Sequence, residues 1–210
     1  MIGPDFIFIE PPKNATTSIS KWIADEGYPY YEGFKRHTPA PDLMGVLKDE
    51  FWANTFKFSV YRNPYDRLTS EFLYFKLLSE APSDAQRGKS HTLRAEKIFS
   101  EISTFSEFVD MAGTNCFLNR YLMSHTQTRF FGEEDIFLCD FRNLQRDFDV
   151  ICGKLGWKPS PLPKYNASVS RAPWETFYTE EVKRKVKALF AEDFITPIGG
   201  EKKSEKTVDG

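Results

Sequence analysis

Twice in the first half of the chain a short apolar run breaks at a proline and gives way to a helical pattern, and this recurrence limits the fold more than any other feature. Phe6-Ile7-Phe8-Ile9 has the length and composition of a strand buried on both faces, and Pro11 and Pro12 end it. Past a short loop, Ile19, Trp22 and Ile23 fall at helical spacing behind Thr16, Thr17 and Ser18, whose hydroxyls are natural N-caps. The second unit repeats the order: Phe56, Phe58 and Val60 predict a strand, and Arg62-Asn63-Pro64 a turn. A helix is then expected over 65–78, with Leu68, Phe72, Phe75 and Leu78 on one face. Two such units imply right-handed crossovers, an α/β fold with a central, mainly parallel sheet flanked by helices, and loops gathered at its carboxyl edge.

Later segments extend the pattern. Ile136, Phe137 and Leu138 form a third buried-strand candidate, followed by apolar residues at 141, 144, 148, 151, 152 and 155 in a helix stopped by Gly156. Helices are also expected over 43–51, capped by Asp42, over 98–112, over 115–123, and after Thr179, where Val182, Val186, Leu189 and Phe190 make the stripe. The polar stretch 79–97 reads as a mobile excursion containing a solvated His91, and 199–210 as a charged, disordered tail. With 40% hydrophobic residues, twenty of them Phe, 1–198 suffices for one domain around one aromatic-rich core.

The charges nearly cancel. A net charge of −2 and a pI near 6.0 give no global pull toward nucleic acid or acidic membranes, so any anion site must be local. Cys116, Cys139 and Cys152 are odd in number and lack a CxxC pair, which argues against a disulfide framework or structural zinc and for a reducing compartment. No apolar run approaches the ~18 residues of a membrane span, and the first strand starts without a signal-peptide pattern. The expectation is a soluble cytoplasmic protein with no membrane span and no nucleic-acid partner. Its oligomeric state is left open.

The first loop is where chemistry is expected. A helix starting near Thr16 aims unpaired N–H groups and the positive end of its dipole back at the loop, and Lys13 adds a full charge. That suits a phosphate or sulfate group, although the same residues also make an ordinary turn and cap. It is not a Walker A loop, because GxxxxGK[ST] is absent.

The two units together resemble the sulfotransferases that use 3′-phosphoadenosine 5′-phosphosulfate (PAPS), especially the carbohydrate branch that includes the uronosyl 2-O-sulfotransferases. The family's phosphosulfate loop, Pro-Lys-Thr-Gly/Ala-x-Thr-Ser, is matched by Pro12-Lys13-Asn14-Ala15-Thr16-Thr17-Ser18. Its 3′-phosphate motif, Arg-Asn-Pro-x-Asp-Arg-x-x-Ser, is matched in full from Arg62 to Ser70. Weaker echoes are Lys35-Arg36-His37-Thr38, the 136–157 strand and helix, and the loop holding Asn166, Ser168 and Arg171, so that the likeness spans about residues 5 to 195. One departure is Glu10-Pro11-Pro12-Lys13, where the family often has His-Ile-Pro-Lys, since a carboxylate beside an anion site is awkward unless it points away or serves as a base.

The resemblance implies a P-loop-like three-layer α/β/α domain that transfers the sulfuryl group of PAPS to a hydroxyl or amine of a glycan or other small acceptor, releasing 3′,5′-ADP without a metal. It implies Lys13, Asn14, Ala15, Thr16, Thr17 and Ser18 around the phosphosulfate, with Lys13 also neutralising the leaving oxygen. Arg62, Ser70 and Arg171 would hold the rest of the nucleotide. His37 is the first choice of base, because the related 2-O-sulfotransferases place a catalytic His in the loop before the Arg-bearing strand and imidazole titrates near pH ~6.5. Glu10 and Glu32 are alternatives. His125, Gln127 and Arg129 lie where a substrate loop would be. The two separated charges of PAPS suit one cation with donors plus a distant Arg and Ser. A P-loop-like kinase or phosphohydrolase, which would want magnesium carboxylates, and a non-catalytic nucleotide or glycan binder are the competing readings.

Overall fold

The structure, a computed structural model, describes residues 1–80, 89–114, 125–132, 135–164 and 172–196. Three parallel strands, β1 (Phe6–Phe8), β2 (Phe56–Tyr61) and β3 (Phe137–Asp140), lie in that order with β2 central. Phe6 pairs Phe56 and Phe8 pairs Phe58, while Phe58 pairs Phe137 and Tyr61 pairs Asp140. The chain is thus mixed α/β with a parallel sheet. Successive strand side chains point to opposite faces. Phe6, Phe8, Phe58, Val60 and Cys139 pack under α1 (Thr16–Asp25), whose inner face is Ile19, Trp22 and Ile23. Ile7, Ile9, Tyr61 and Leu138 face the other way, onto residues of the helices from 40 to 54 and from 127 to 131. β1 is a continuous apolar run, as a strand buried on both sides needs, whereas β2 also buries Lys57, which donates to the Trp52 and Thr55 carbonyls, and Ser59, which donates to the Ile9 carbonyl.

Between β1 and β2 the expected single helix over 43–51 is two short ones, α2 (Ala40–Met44) and α3 (Asp49–Asn54). Gly45 closes α2, and α3 restarts with Asp49 and Glu50 in its first turn, where acidic side chains suit the dipole. After β2, α4 (Pro64–Ser79) begins at the proline with Asn63 as cap, its Oδ1 accepting from the Tyr65 amide at 2.9 Å.

The polar stretch 79–97 needs correcting in part. Residues 81–88 lie outside those described, but α5 (Lys89–Glu101) is a helix against α4, with Ala95 and Ile98 buried. Ala95, Ile98 and the partly buried Phe99 anchor it against Phe72 and Phe75 of α4. The helix expected over 98–112 is broken before α6 (Phe105–Thr114) by a capping box. Glu107 accepts from the Ser103 and Thr104 amides at 2.8 Å and its own amide donates to Thr104 Oγ1 at 3.2 Å.

The helix expected over 115–123, Cys116 and the 199–210 tail lie outside the described residues. Next comes α7 (Gln127–Phe131), then β3, a 3-10 turn at Phe141–Asn143 and α8 (Leu144–Leu155), ended by Gly156 with φ 67°. The last helices are α9 (Glu180–Leu189), capped by Thr179 Oγ1, and α10 (Ala191–Phe194). Helices α4, α5, α6 and α9 enclose a second, largely aromatic cluster in which Phe72 meets Phe99, Phe105 and Phe108 at ring distances of 5.3 to 5.6 Å. Among the described residues no helix is long and apolar enough to cross a membrane.

Candidate functional site

The loop joining β1 to α1 leaves the carboxyl edge of the sheet beside the loop joining β2 to α4. Two of its residues, Lys13 (φ 68°) and Ala15 (φ 56°), are non-glycines in the left-handed region, at a cost of order 1–3 kcal/mol each. Distant residues hold them there. Arg62 Nη1 donates to the Lys13 carbonyl at 2.6 Å, and Arg67 Nε to the Pro12 carbonyl at 3.2 Å. The buried Asn14 side chain donates to the Val60 carbonyl and to Gln127 Oε1, both at 2.6 Å. With its carbonyls drawn toward these donors, the loop turns its amides the other way.

Helix α1 accordingly starts without the hydroxyl cap expected of Thr16, Thr17 or Ser18. Its cap is left-handed Ala15, which makes no side-chain cap bond, and no acidic residue lies in the first turn. The Thr16 and Thr17 amides have no acceptor among the described residues. Lys13 Nζ lies 4.0 Å from the centroid of the Tyr74 ring. The loop thus has the donors and charge to hold an anion.

Arg62 is pinned on several sides. Besides Lys13 O, it donates from Nε to Asp66 Oδ2 at 2.7 Å, lies 4.1 Å from the Phe141 ring centroid, and gives its amide to Gln127 Oε1 at 2.9 Å. It is buried and holds the loop in shape. Ser70 is half-buried two turns along α4 from Pro64. Arg171, like Asn166 and Ser168, lies outside the described residues.

Of the candidate bases, His37 and Glu10 are brought together and Glu32 is left exposed. His37, itself at φ 61°, contacts the Glu10 carbonyl through Nδ1 at 2.6 Å. A carbonyl only accepts, so Nδ1 carries the proton and Nε2 keeps the lone pair in the neutral ring. Burial, and then Arg36, lower the pKa of His37, with the Glu10 carbonyl acting in opposition. Glu10 does not have the surroundings of a base. It is 3% exposed and accepts from the Met1 ammonium at 2.9 Å, Ser20 Oγ at 2.8 Å and Arg36 Nε at 3.1 Å. Burial raises its pKa, but the ammonium, Arg36 and Ser20 outweigh that and hold it below the usual carboxylate range.

Four residues take parts that the motifs did not assign to them. Gln127 is fully buried and returns a bond from Nε2 to the Arg62 carbonyl at 2.8 Å, so it clamps the two loops together rather than lining a substrate loop. Arg67 also donates to the His125 carbonyl at 2.8 Å, while His125 and Arg129 lie side by side at 3.3 Å. Glu71, 2% exposed, sits among Arg67, Lys13 and Arg94; burial pushes its carboxyl up to about 7, and among the described residues its Oε2 has no hydrogen-bond partner. Its place on the Leu68–Phe72–Phe75 stripe was the available signal. Arg36 reaches Thr16 Oγ1 and Thr17 Oγ1 at 3.4 and 3.5 Å, and its place in the Lys35-Arg36-His37-Thr38 segment was the signal for it.

An open cavity of about 660 Å³ lies at the opposite edge of the sheet, lined by Asp5, Lys48, Phe51, Phe56 and Lys154, and includes none of these groups. Compared with family models, curated proteins and solved structures the chain finds no match, so any chemistry assigned to the site stands on the residues just described.

Proposed function

We propose that the chain is a PAPS-dependent sulfotransferase of the carbohydrate type, built as a P-loop-like three-layer α/β/α domain, which sulfates a hydroxyl or amine of a glycan or other small acceptor. The observation that carries the reading is that two motifs 49 residues apart meet: Arg62 of one donates to the Lys13 carbonyl of the other at 2.6 Å. A turn and a surface ion-pair ladder with no shared task have no reason to do so. The donor set also fits, since Lys13 and the uncapped start of α1 offer charge and amides to a sulfate or phosphate group. A soluble cytoplasmic setting belongs to the same proposal.

PAPS supplies an activated sulfuryl group: its S–O bond to the 5′-phosphate breaks as a new S–O bond to the acceptor forms. Lys13 and the α1 amides balance charge on the departing phosphate oxygen. His37 takes the acceptor proton at Nε2, the nitrogen its Glu10 contact leaves unprotonated. Glu10 fixes that ring through its carbonyl and takes no proton. Ser70 receives the 3′-phosphate, with Arg62 beneath it.

Calorimetric titration with 3′,5′-ADP and with ATP plus magnesium, on the wild type, Lys13→Ala and Ser70→Ala, tests this. Binding of 3′,5′-ADP weakened by both substitutions, followed by label transfer from PAPS, is expected. Indifference to the 3′-phosphate together with magnesium-dependent ATP turnover would give the site to a kinase or phosphohydrolase. Binding of 3′,5′-ADP with no consumption of PAPS under any acceptor would make the chain a binder.

A further inference from the structure

We infer that Arg36 is a second cation of the phosphosulfate end of the site, held over the first turn of α1 by the buried carboxylate of Glu10; this rests on the function proposed above. The guanidinium is bound by Nε to Glu10 Oε1 at 3.1 Å, and Nη2 lies 3.4 Å from Thr16 Oγ1 and 3.5 Å from Thr17 Oγ1. Its side chain is 49% exposed, so it is anchored at one end and reachable at the other. Among the described residues Nη1 has no hydrogen-bond partner. A cation at a helix N-terminus is opposed by the dipole, and Lys13 in the same loop adds like charge. Glu10 is shared with the Met1 ammonium, and Glu71 beside Lys13 is shared with Arg67 and Arg94, so these carboxylates do not neutralise the grouping, whereas a doubly charged group meeting Arg36, Lys13 and the Thr16 and Thr17 amides would.

The backbone is committed to the same arrangement. His37, the next residue, is turned to φ 61° and bound to the carbonyl of the same Glu10, so Glu10 fixes Arg36 by its side chain and His37 by its main chain. This gives the Glu10 departure from the family pattern a purpose: the carboxylate faces away from the anion and positions the cation that meets it. Arg36 would then read charge at the 5′ end of the nucleotide and be blind to the 3′ end.

Calorimetric titration of wild type, Arg36→Gln and Glu10→Gln with 3′,5′-ADP and with adenosine 3′-phosphate, which lacks the 5′ charge, separates the possibilities; circular dichroism confirms folding. Arg36→Gln should weaken 3′,5′-ADP by about 10- to 100-fold, the loss of a charge-assisted pair, and change adenosine 3′-phosphate by less than about two-fold. A folded Glu10→Gln should show the same selectivity with a smaller loss. Equal weakening of both nucleotides by Arg36→Gln, or of neither, overturns the role of Arg36 while leaving the sulfotransferase reading in place. A wild type that binds neither nucleotide overturns that reading and this inference with it.

Discussion

Gln127 tests the idea that the anion loop is held by its partners rather than by its own preferences. Its Oε1 accepts from Asn14 Nδ2 and the Arg62 amide, and its Nε2 donates to the Arg62 carbonyl and, at 3.3 Å, to Asp193 Oδ2. In Gln127→Ala all four are lost inside a buried site. Taking about 1 kcal/mol for each neutral bond, partly recovered by rearrangement, gives about 2–4 kcal/mol out of a total stability of about 5–15. At about 2–4 °C per kcal/mol for a chain of this size, the melting temperature should fall by about 5–15 °C. Gln127→Glu is the sharper variant because it changes one group: an ionised carboxylate would face the Arg62 carbonyl and Asp193 where an NH₂ now donates. It should destabilise at neutral pH at least as much, and the loss should shrink as the medium is acidified, because a protonated carboxyl can donate again. Urea unfolding at several pH values reads both effects, and a Gln127→Ala/Asn14→Ala cycle should show a coupling of about 0.5 kcal/mol or more. A Gln127→Ala variant within about 0.5 kcal/mol of wild type would refute the clamp.

Three further outcomes are expected. Glu71, with a carboxyl raised to about 7 from 4.5, contributes stability that is complete below pH 4.5 and lost as pH rises toward 7; Glu71→Gln should flatten that part of the stability–pH curve, measured by denaturant unfolding. His37, lowered from 6.5, should place the acidic limb of the sulfuryl-transfer rate profile below pH 6.5, and its contribution to stability should be lost as pH falls from that value; His37→Ala with unchanged turnover would remove it as base. Thr179→Ala deletes the bond that Val182 donates at 3.2 Å and should cost about 1 kcal/mol, seen as a melting temperature about 2–4 °C lower with ligand binding unaffected.

What the sequence made legible was local. Phe6–Phe8 read as a strand because a strand covered on both faces admits little but apolar residues, Phe56–Tyr61 because Phe56, Phe58 and Val60 alternate even with Lys57 and Ser59 buried between them, and α4 announced itself through Pro64 and its stripe. The capping box at Thr104 and Glu107 was equally local, but the apolar period runs on across it and masks the break. Other features depended on distant partners. Only the end of Lys89–Glu101, from Ile98, was marked as helical; its first half is polar because the apolar surface it meets belongs largely to α4. Gln127 looks like any polar loop residue until Asn14 and Arg62 close around it, and Glu10 resembles a base until Arg36 and Ser20 occupy one of its oxygens and the Met1 ammonium the other.

The bond between Asn14 and Gln127 spans 113 residues of chain. At about 5–20 residues per second, a ribosome needs about 6 to 23 s to add the second partner after the first. Over that interval Arg62 and its Asp66 partner are already present, but the Gln127 side chain that ties Asn14 to the Arg62 backbone is not. The anion loop is therefore among the last parts to be finished, although it is among the first to be made: its closing clamp is delivered by α7.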